Sequence, residues 1–171
     1  MKLLIIGHAQ HGKDTLAEIW ERHFGLKFKG SSMAAAEIFI FDALKDIYGY
    51  KTFEECFEDR KNHRDLWHDM ITEYNKDDKA RLAKEILAIS DCYVGMRNDL
   101  EVTECFRLRL FDLVIWVDAS KRKPLEPKSS FKIGKEWADI IIDNNGCEFE
   151  FVRRAKRIGR IIFNDRSTKS I

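Results

Sequence analysis

The sequence has almost no excess of charge of either sign, since its 30 lysines and arginines are matched by 29 aspartates and glutamates. This balance argues against a protein that coats a nucleic-acid polymer, because such proteins carry a large positive charge. Apolar residues make up 44% and charged residues 35% of the chain, a proportion typical of a globular protein. We expect a single domain over residues 1–171, with any affinity for anions confined to a local site.

Long apolar runs and cysteine motifs are also missing. No stretch approaches the roughly 18 apolar residues of a transmembrane helix, and the apolar run before Gly7 is too short for a signal peptide. The four cysteines include no C-x-x-C pair, so neither a zinc cluster nor a disulfide framework is predicted. We expect a cytoplasmic protein with free thiols and no membrane partner.

Short apolar runs alternate with amphipathic or charged segments along the chain. The runs predict strands at residues 3–6, 26–29, 91–95, 113–117 and 138–142. The other segments predict helices at about 13–24, 34–48, 102–110 and 148–162, and two more within 52–89 that are broken near 75–78. This alternation predicts an α/β fold whose parallel sheet carries helices on both faces and binds ligands at the carboxyl ends of its strands.

Residues 7–15 follow the first predicted strand, and we call them the phosphate loop. Gly7, Gly12 and Lys13 fit the pattern G-x-x-x-x-G-K, in which glycines let backbone N–H groups converge on phosphate oxygens and lysine adds a full charge. The alternative is that the pattern occurs by chance in a turn. Its position between a predicted strand and a predicted helix argues against chance. The residues predicted to contact the nucleotide here are His8, Ala9, Gln10, His11, Gly12, Lys13, Asp14 and Thr15.

Asp14 stands where this pattern usually has serine or threonine, and Thr15 follows one place later. Asp14 is either a metal ligand that replaces the hydroxyl, with Thr15 contributing, or a favourable charge in the first turn of the helix; we favour the ligand. His8 and His11 are better explained by the geometry of the loop than by catalysis. Asp118, at the end of an apolar strand, is either a metal-binding carboxylate or the cap of the next turn.

The loop sequence Gly-Lys-Asp-Thr resembles that of the bacteriophage-type deoxynucleoside monophosphate kinases, which are relatives of adenylate and thymidylate kinase. Further segments are similar to that family over nearly the whole chain: residues 29–36, 59–64, 94–101 and 138–146. The resemblance implies a three-layer P-loop NTPase fold with a parallel five-stranded sheet, an acceptor-binding helical region at about 34–89 and a lid-like loop at about 119–132. It also implies location in the host cytoplasm for a phage-encoded chain, and it leaves open whether the chain forms a homodimer.

The resemblance further implies a function, the ATP- and Mg²⁺-dependent phosphorylation of a nucleoside or deoxynucleoside monophosphate. Lys13 and the loop amides would hold the donor phosphates, and Mg²⁺ would be bound by Asp14, Thr15 and a further carboxylate such as Asp118. The acceptor phosphate would be held by Arg60, Arg64 and Arg97, and the adenine would be bordered by Asn144, Asn145 and Gly146.

Three alternatives stay open at this point. Arg60 and Arg64, which share a face of a predicted helix, could instead form surface pairs with Glu58, Asp59 and Asp65. Gly95 stands where the family often has aspartate, so the metal carboxylate must come from Asp14, Asp91 or Asp118. The lid-like loop carries mainly lysines, which supply charge without the two-pronged contact of arginine: Lys121, Arg122, Lys123 and Lys128.

Two other functions also fit a phosphate loop. One is a kinase for another small phosphorylated metabolite, because the loop does not select the acceptor. The other is a switch protein that hydrolyses a nucleotide, although the Asn/Thr-Lys-x-Asp base-reading motif of GTPases is missing from the sequence.

Overall fold

The computed structural model describes residues 1–128 and 131–164. Its strands are Leu3–Ile6 (β1), Phe28–Gly30 (β2), Cys92–Val94 (β3), Leu113–Asp118 (β4) and Ile140–Asp143 (β5). They form one sheet in the order β2–β3–β1–β4–β5, and each neighbouring pair is parallel. This arrangement confirms the predicted five-stranded parallel sheet.

Helices connect and cover the strands. They are Lys13–Phe24 (α1), Ser31–Ala35 (α2), Phe41–Tyr48 (α3), Phe53–Asp59 (α4), Arg64–Tyr74 (α5), Arg81–Ile89 (α6), Asp99–Arg107 (α7) and Glu148–Asn164 (α8). A π-helical segment, Ala36–Ile40, joins α2 to α3, and short 3₁₀ turns occupy Arg60–Asn62 and Lys135–Trp137. Within the described ranges, no helix has the length and hydropathy needed to cross a membrane.

Strand β1 contributes to both hydrophobic cores of the protein. Leu3 and Ile5 pack with residues of α1 and α8, whereas Leu4 and Ile6 pack with residues of α2, α6 and α7 on the opposite face. All four side chains are fully buried, because successive residues of a strand point to opposite faces. Helices therefore cover both faces of the sheet, as the sequence predicts.

Helix α1 begins and ends where the sequence predicts. Gly25 adopts the left-handed conformation after its last residue, and the Gly25 N–H donates to the Glu21 carbonyl oxygen. The buried Trp20 indole nitrogen donates to the Ala155 carbonyl oxygen of α8 at 2.8 Å. Full burial of such a side chain stabilises the fold by about 3 kcal/mol. Trp20 therefore fixes α1, which the phosphate loop precedes, against α8.

The prediction for residues 52–89 was wrong in one respect, since the segment is broken a second time at residues 60–63. The Asp59 carboxylate accepts from Tyr50, contacts Asn62 and lies 3.0 Å from a His63 ring nitrogen. Such local side-chain contacts compete with continuation of a helix. Arg60 consequently lies in a 3₁₀ turn while Arg64 begins α5, so the two arginines do not share one face of a single helix.

Candidate active site

The phosphate loop joins the carboxyl end of β1 to the first residue of α1. Gly7 and Gly12 have φ angles of 142° and 99°, in the region that favours glycine. A Cβ atom on Gly7 would lie 2.5 Å from the Val117 carbonyl oxygen, and one on Gly12 would lie 2.5 Å from the Asn144 amide nitrogen. Both glycines are therefore required by backbone conformation and by close neighbours, which is why the motif needs them at these positions.

Lys13 is the first residue of α1, and its side chain is almost fully buried. Its Nζ donates to the His8 carbonyl oxygen at 2.8 Å, which bends the side chain back along the loop. Burial and the nearby Arg97 guanidinium lower the pKa of Lys13 to about 8. The ammonium group is therefore poorly solvated and close to another cation, a position in which an anionic ligand would be strongly favoured.

The two histidines of the phosphate loop anchor it to the chain that follows β4. The Ala119 N–H donates to His11 Nδ1, and the Glu126 N–H donates to His8 Nδ1, each at 3.1 Å. Burial and the neighbouring His11 lower the pKa of His8. Both ring nitrogens act as hydrogen-bond acceptors, which supports the interpretation that these residues shape the loop.

Arg60 is near enough to Arg64 and Arg97 for their charges to act on it, and Arg97 is linked to the phosphate loop through Glu126. The pKa of Arg60 is lowered by burial and by the charges of Arg64 and Arg97, and the Asp14 carboxylate acts on it in the opposite direction. Among the described residues neither Arg60 nor Arg64 forms an ion pair, so the alternative pairs with Glu58, Asp59 and Asp65 are not formed. The Arg60 guanidinium lies 4.7 Å from the centre of the Phe57 ring, which holds it without neutralising it.

Arg97 follows β3 and does have a carboxylate partner. Its Nη1 pairs with Oε1 of Glu126, and Oε2 of the same carboxylate accepts from the Ala9 N–H of the phosphate loop at 2.6 Å. Sequence reasoning missed Glu126. Its one local signal is an acidic residue between Pro124 and Pro127 in a basic segment, and that signal does not indicate which loop the side chain contacts.

The loop after β5 contacts both the phosphate loop and the segment after β4. The buried Asn144 side chain donates to the His11 carbonyl oxygen, and the Asn145 side chain accepts from the Lys121 N–H at 2.8 Å. Arg122 Nε donates to the Asn144 carbonyl oxygen at 2.5 Å, while Gly146 is exposed. Asn144 and Asn145 thus hold neighbouring loops together, and their contact with adenine stays a prediction.

The lid-like loop predicted at 119–132 is only partly described, because Ser129 and Ser130 lie outside the described residues. Between residues 119 and 128, hydrogen bonds to the phosphate loop are made by Ala119 and Glu126. Arg122 instead donates a hydrogen bond to the loop after β5. In this part of the segment a carboxylate contacts the phosphate loop, and lysine contacts with a bound nucleotide stay a prediction.

The candidate metal ligands differ in their positions. Asp14 and Thr15 are exposed in the first turn of α1, and the Asp14 charge acts on the pKa of Lys13 and of Arg60. Asp118 Oδ1 caps a turn by accepting from the Ser120 N–H at 2.9 Å. Asp91 is wrongly placed to be a ligand. It precedes β3, and its carbonyl oxygen accepts from the Leu3 N–H at the amino-terminal end of the strands, whereas the phosphate loop follows the carboxyl end of β1.

No group of three or more His, Cys, Asp or Glu side chains is arranged around a common metal position in the described ranges. A Mg²⁺ ion at a phosphate site does not require such a group, because it is usually held by one or two carboxylates together with substrate phosphates and water. The exposed Asp14 and Thr15 beside Lys13 fit that kind of site.

No protein-family model and no curated protein sequence gives a significant match to the chain. Its fold is nevertheless similar to that of solved kinases. A dephospho-CoA kinase from Campylobacter jejuni is 14% identical, with a TM-score of 0.53 over 95% of this chain and 97% of that chain. This protein has the P-loop kinase fold.

Two further structures lead to the same fold. A shikimate kinase from Bacteroides thetaiotaomicron is 11% identical, with a TM-score of 0.51 over 95% of this chain and 98% of that one. A gluconokinase from Sinorhizobium meliloti 1021 is 12% identical, with a TM-score of 0.50 over 99% of this chain and 97% of that one. These kinases are named for different acceptors, so the P-loop kinase fold does not by itself select one.

Proposed function

We propose that this protein transfers the terminal phosphoryl group of ATP to a nucleoside or deoxynucleoside monophosphate and releases the two diphosphates. The observation that carries the proposal is the cluster of Arg60, Arg64 and Arg97 beside the buried Lys13. Arg60 and Arg64 have no carboxylate partner among the described residues. The charge of Arg97 lowers the pKa of Lys13, and the charges of Arg64 and Arg97 lower the pKa of Arg60. Such a cluster is stabilised by two anionic ligands, a donor and an acceptor.

The donor side is formed by the phosphate loop. Gly7 and Gly12 allow the backbone to fold around a small anion, and the N-terminus of α1 adds the positive end of its dipole. Lys13 would exchange the His8 carbonyl oxygen for phosphate oxygens. Asn144 and Asn145, which fix the neighbouring loop, would border the adenine, together with Gly146.

Asp14 and Thr15 would hold Mg²⁺ at this site. The metal supplies charge that offsets the charge developing on the transferred phosphoryl group. Asp118 is a weaker candidate, because one of its carboxylate oxygens already caps a turn.

The acceptor side is formed by the arginines. Phosphoryl transfer depends mainly on positioning and on neutralisation of charge, so the protein must hold the acceptor phosphate in line with the donor. Guanidinium groups suit this task because they stay charged and can contact two phosphate oxygens at once. The resemblance of residues 59–64 and 94–101 to the phage-type kinases favours a nucleoside monophosphate as the acceptor.

A panel of acceptors tests the proposal directly. The purified chain would be incubated with ATP, Mg²⁺ and each ribonucleoside or deoxynucleoside monophosphate, and ADP release would be measured. We expect turnover with at least one monophosphate and none with the Lys13→Ala variant. If no monophosphate is turned over, the proposed acceptor class is wrong.

A kinase for another small metabolite is the second candidate, and it is favoured by the named acceptors of the structural neighbours. The same arginines suit a carboxylate as well as a phosphate. Turnover of a phosphorylated or carboxylated metabolite, with none of any nucleoside monophosphate, would support this candidate. Rapid ATP hydrolysis without any acceptor would instead indicate a nucleotide-dependent switch.

The Asp14 assignment has its own test. Asp14→Ser restores the usual residue of the motif, and Asp14→Ala removes the side-chain ligand. If Asp14 binds Mg²⁺, the Asp14→Ala variant should require a higher Mg²⁺ concentration for half-maximal rate. The Asp14→Ser variant should also change the Mg²⁺ concentration that gives half-maximal rate. Unaltered Mg²⁺ dependence in both variants would show that the carboxylate is only a charge at the start of α1.

A further inference from the structure

The side chain of Glu126 lies inside the phosphate site. Its Oε2 accepts from the Ala9 N–H at 2.6 Å, and its Oε1 pairs with Arg97 Nη1. The backbone N–H of Glu126 donates to His8 Nδ1 at 3.1 Å, so the residue is held at both its backbone and its carboxylate. The side chain is only 14% exposed.

The carboxylate is charged in this position. Burial alone would raise the pKa of Glu126, but the bond and charge of Arg97, the Ala9 N–H and the charge of Lys13 together lower it. The Glu126 charge in turn raises the pKa of Lys13 and so partly offsets the lowering by burial and Arg97. A half-buried anion therefore lies among the cationic and N–H groups of the site.

These groups are the same ones that a phosphate would use. A backbone N–H of the phosphate loop, the Arg97 guanidinium and the Lys13 ammonium favour any anion of suitable size. A carboxylate and a phosphate carry like charges, so they cannot occupy this position together without strong repulsion.

We propose that Glu126 is an internal competitor of the nucleotide phosphates, which must displace its carboxylate from Ala9 and Arg97 in order to bind. The inference rests on the proposed function only in that the phosphate loop binds a triphosphate, and it does not depend on the identity of the acceptor. Displacement releases Arg97, so binding of the donor frees a guanidinium for the acceptor. Glu126 thereby lowers the affinity for the donor and couples donor binding to formation of the acceptor site.

The experiment compares the wild-type chain with Glu126→Gln and Glu126→Ala, titrated with ATP and Mg²⁺ and separately with inorganic tripolyphosphate. Removing the competing charge should lower both dissociation constants by about tenfold, because an apparent dissociation constant falls as the binding-competent fraction rises. Tripolyphosphate separates the effect on the phosphate loop from any contact with adenine. Glu136→Gln, which removes an exposed carboxylate from the same connection, is the matched control and should change neither constant.

Equal or weaker binding by both Glu126 variants would overturn this inference and would indicate that Glu126 only positions Arg97. A wild-type chain that binds neither probe would overturn the proposed function, and the inference with it. If the variants do not fold, the wild type still provides a test through the side-chain carboxyl ¹³C resonance of Glu126. Saturation with tripolyphosphate should move that resonance towards the value of a solvated carboxylate, and an unchanged resonance would contradict displacement.

Discussion

The side-chain amide nitrogen of Asn144 donates to the His11 carbonyl oxygen at 2.9 Å, across 133 positions of the sequence. This bond fixes the middle of the phosphate loop to the loop after β5. Asn144 also lies so close to Gly12 that a Cβ atom there would come within 2.5 Å of its nitrogen. One buried amide therefore both supports the phosphate loop and restricts which residue can stand at position 12.

Gly12→Ala should destabilise the protein by about 2–4 kcal/mol, since it combines an unfavourable φ with displacement of Asn144. Gly25 is a matched control, because it also has a positive φ but a Cβ atom added there would meet no other atom within 4 Å. Gly25→Ala should cost only about 1 kcal/mol. Urea unfolding of both variants measures the difference.

A double variant tests whether the Asn144 amide limits which residue can stand at position 12. Asn144→Ala removes the obstructing amide, so Gly12→Ala combined with Asn144→Ala should be more stable than the sum of the single effects predicts. Strict additivity of the two changes in unfolding free energy would mean that the Gly12–Asn144 contact does not limit the residue at position 12.

The affinity for ATP should fall as the pH rises above about 8. Lys13 binds phosphate in its protonated form, and burial together with Arg97 lowers its pKa to about 8 in the free protein. Above that pH a proton must be taken up on binding, so the dissociation constant should rise by up to about tenfold per pH unit. Calorimetry between pH 7.5 and 9.5, in buffers of different ionisation enthalpy, measures both the affinity and the proton uptake.

Lys13→Arg serves as the control for this pH dependence. A guanidinium keeps its charge throughout the range, so whatever affinity the variant retains should be nearly independent of pH. A flat profile for the wild type would show that the Lys13 ammonium does not deprotonate in this range.

Arg60→Gln should raise the KM for the acceptor by about 10- to 100-fold, because a hydrogen bond to a charged partner contributes about 1.5–3 kcal/mol. The KM for ATP should change much less, since Arg60 lies in the turn after α4 rather than on the phosphate loop. Steady-state kinetics with each substrate varied in turn would measure both constants. Arg157→Gln, an equal charge change at an exposed position of α8, should leave both unaltered.

Stability should fall between about pH 4.5 and pH 7 because of one buried carboxyl group. Glu101 is buried and accepts from the Tyr93 hydroxyl at 2.9 Å, and desolvation raises its pKa from 4.5 to about 7. The folded state thus holds a proton that the unfolded state loses, so the stability present below pH 4.5 is progressively lost as pH rises towards 7. The loss contributed by this group should reach about 3 kcal/mol.

Glu101→Gln isolates that contribution. The neutral amide keeps the shape of the side chain and an acceptor for Tyr93, so the variant should lack this fall and be more stable than the wild type at pH 8. Glu148→Gln, a substitution at an exposed position, should show the same dependence of stability on pH as the wild type. Denaturant titrations at several pH values would measure both, and parallel curves for Glu101→Gln and the wild type would contradict the assignment.

The sequence indicates the fold well because its signals are local. The buried run Leu3–Ile6, the spacing from Gly7 to Lys13 and the cap at Gly25 are each specified within a few residues. The break at residues 60–63 was missed because the contacts of Asp59 with its neighbours leave no periodic pattern.

Residues 7–15 therefore predict a phosphate loop from the sequence alone, since backbone conformation there depends on the order of glycines and lysine along the chain. Only the tertiary structure decides what surrounds it. Asn144 lies against Gly12, Glu126 joins Ala9 to Arg97, and Asp91 lies at the amino-terminal end of the strands. These relationships depend on how distant strands align in a parallel sheet, and no local pattern of residues encodes that alignment.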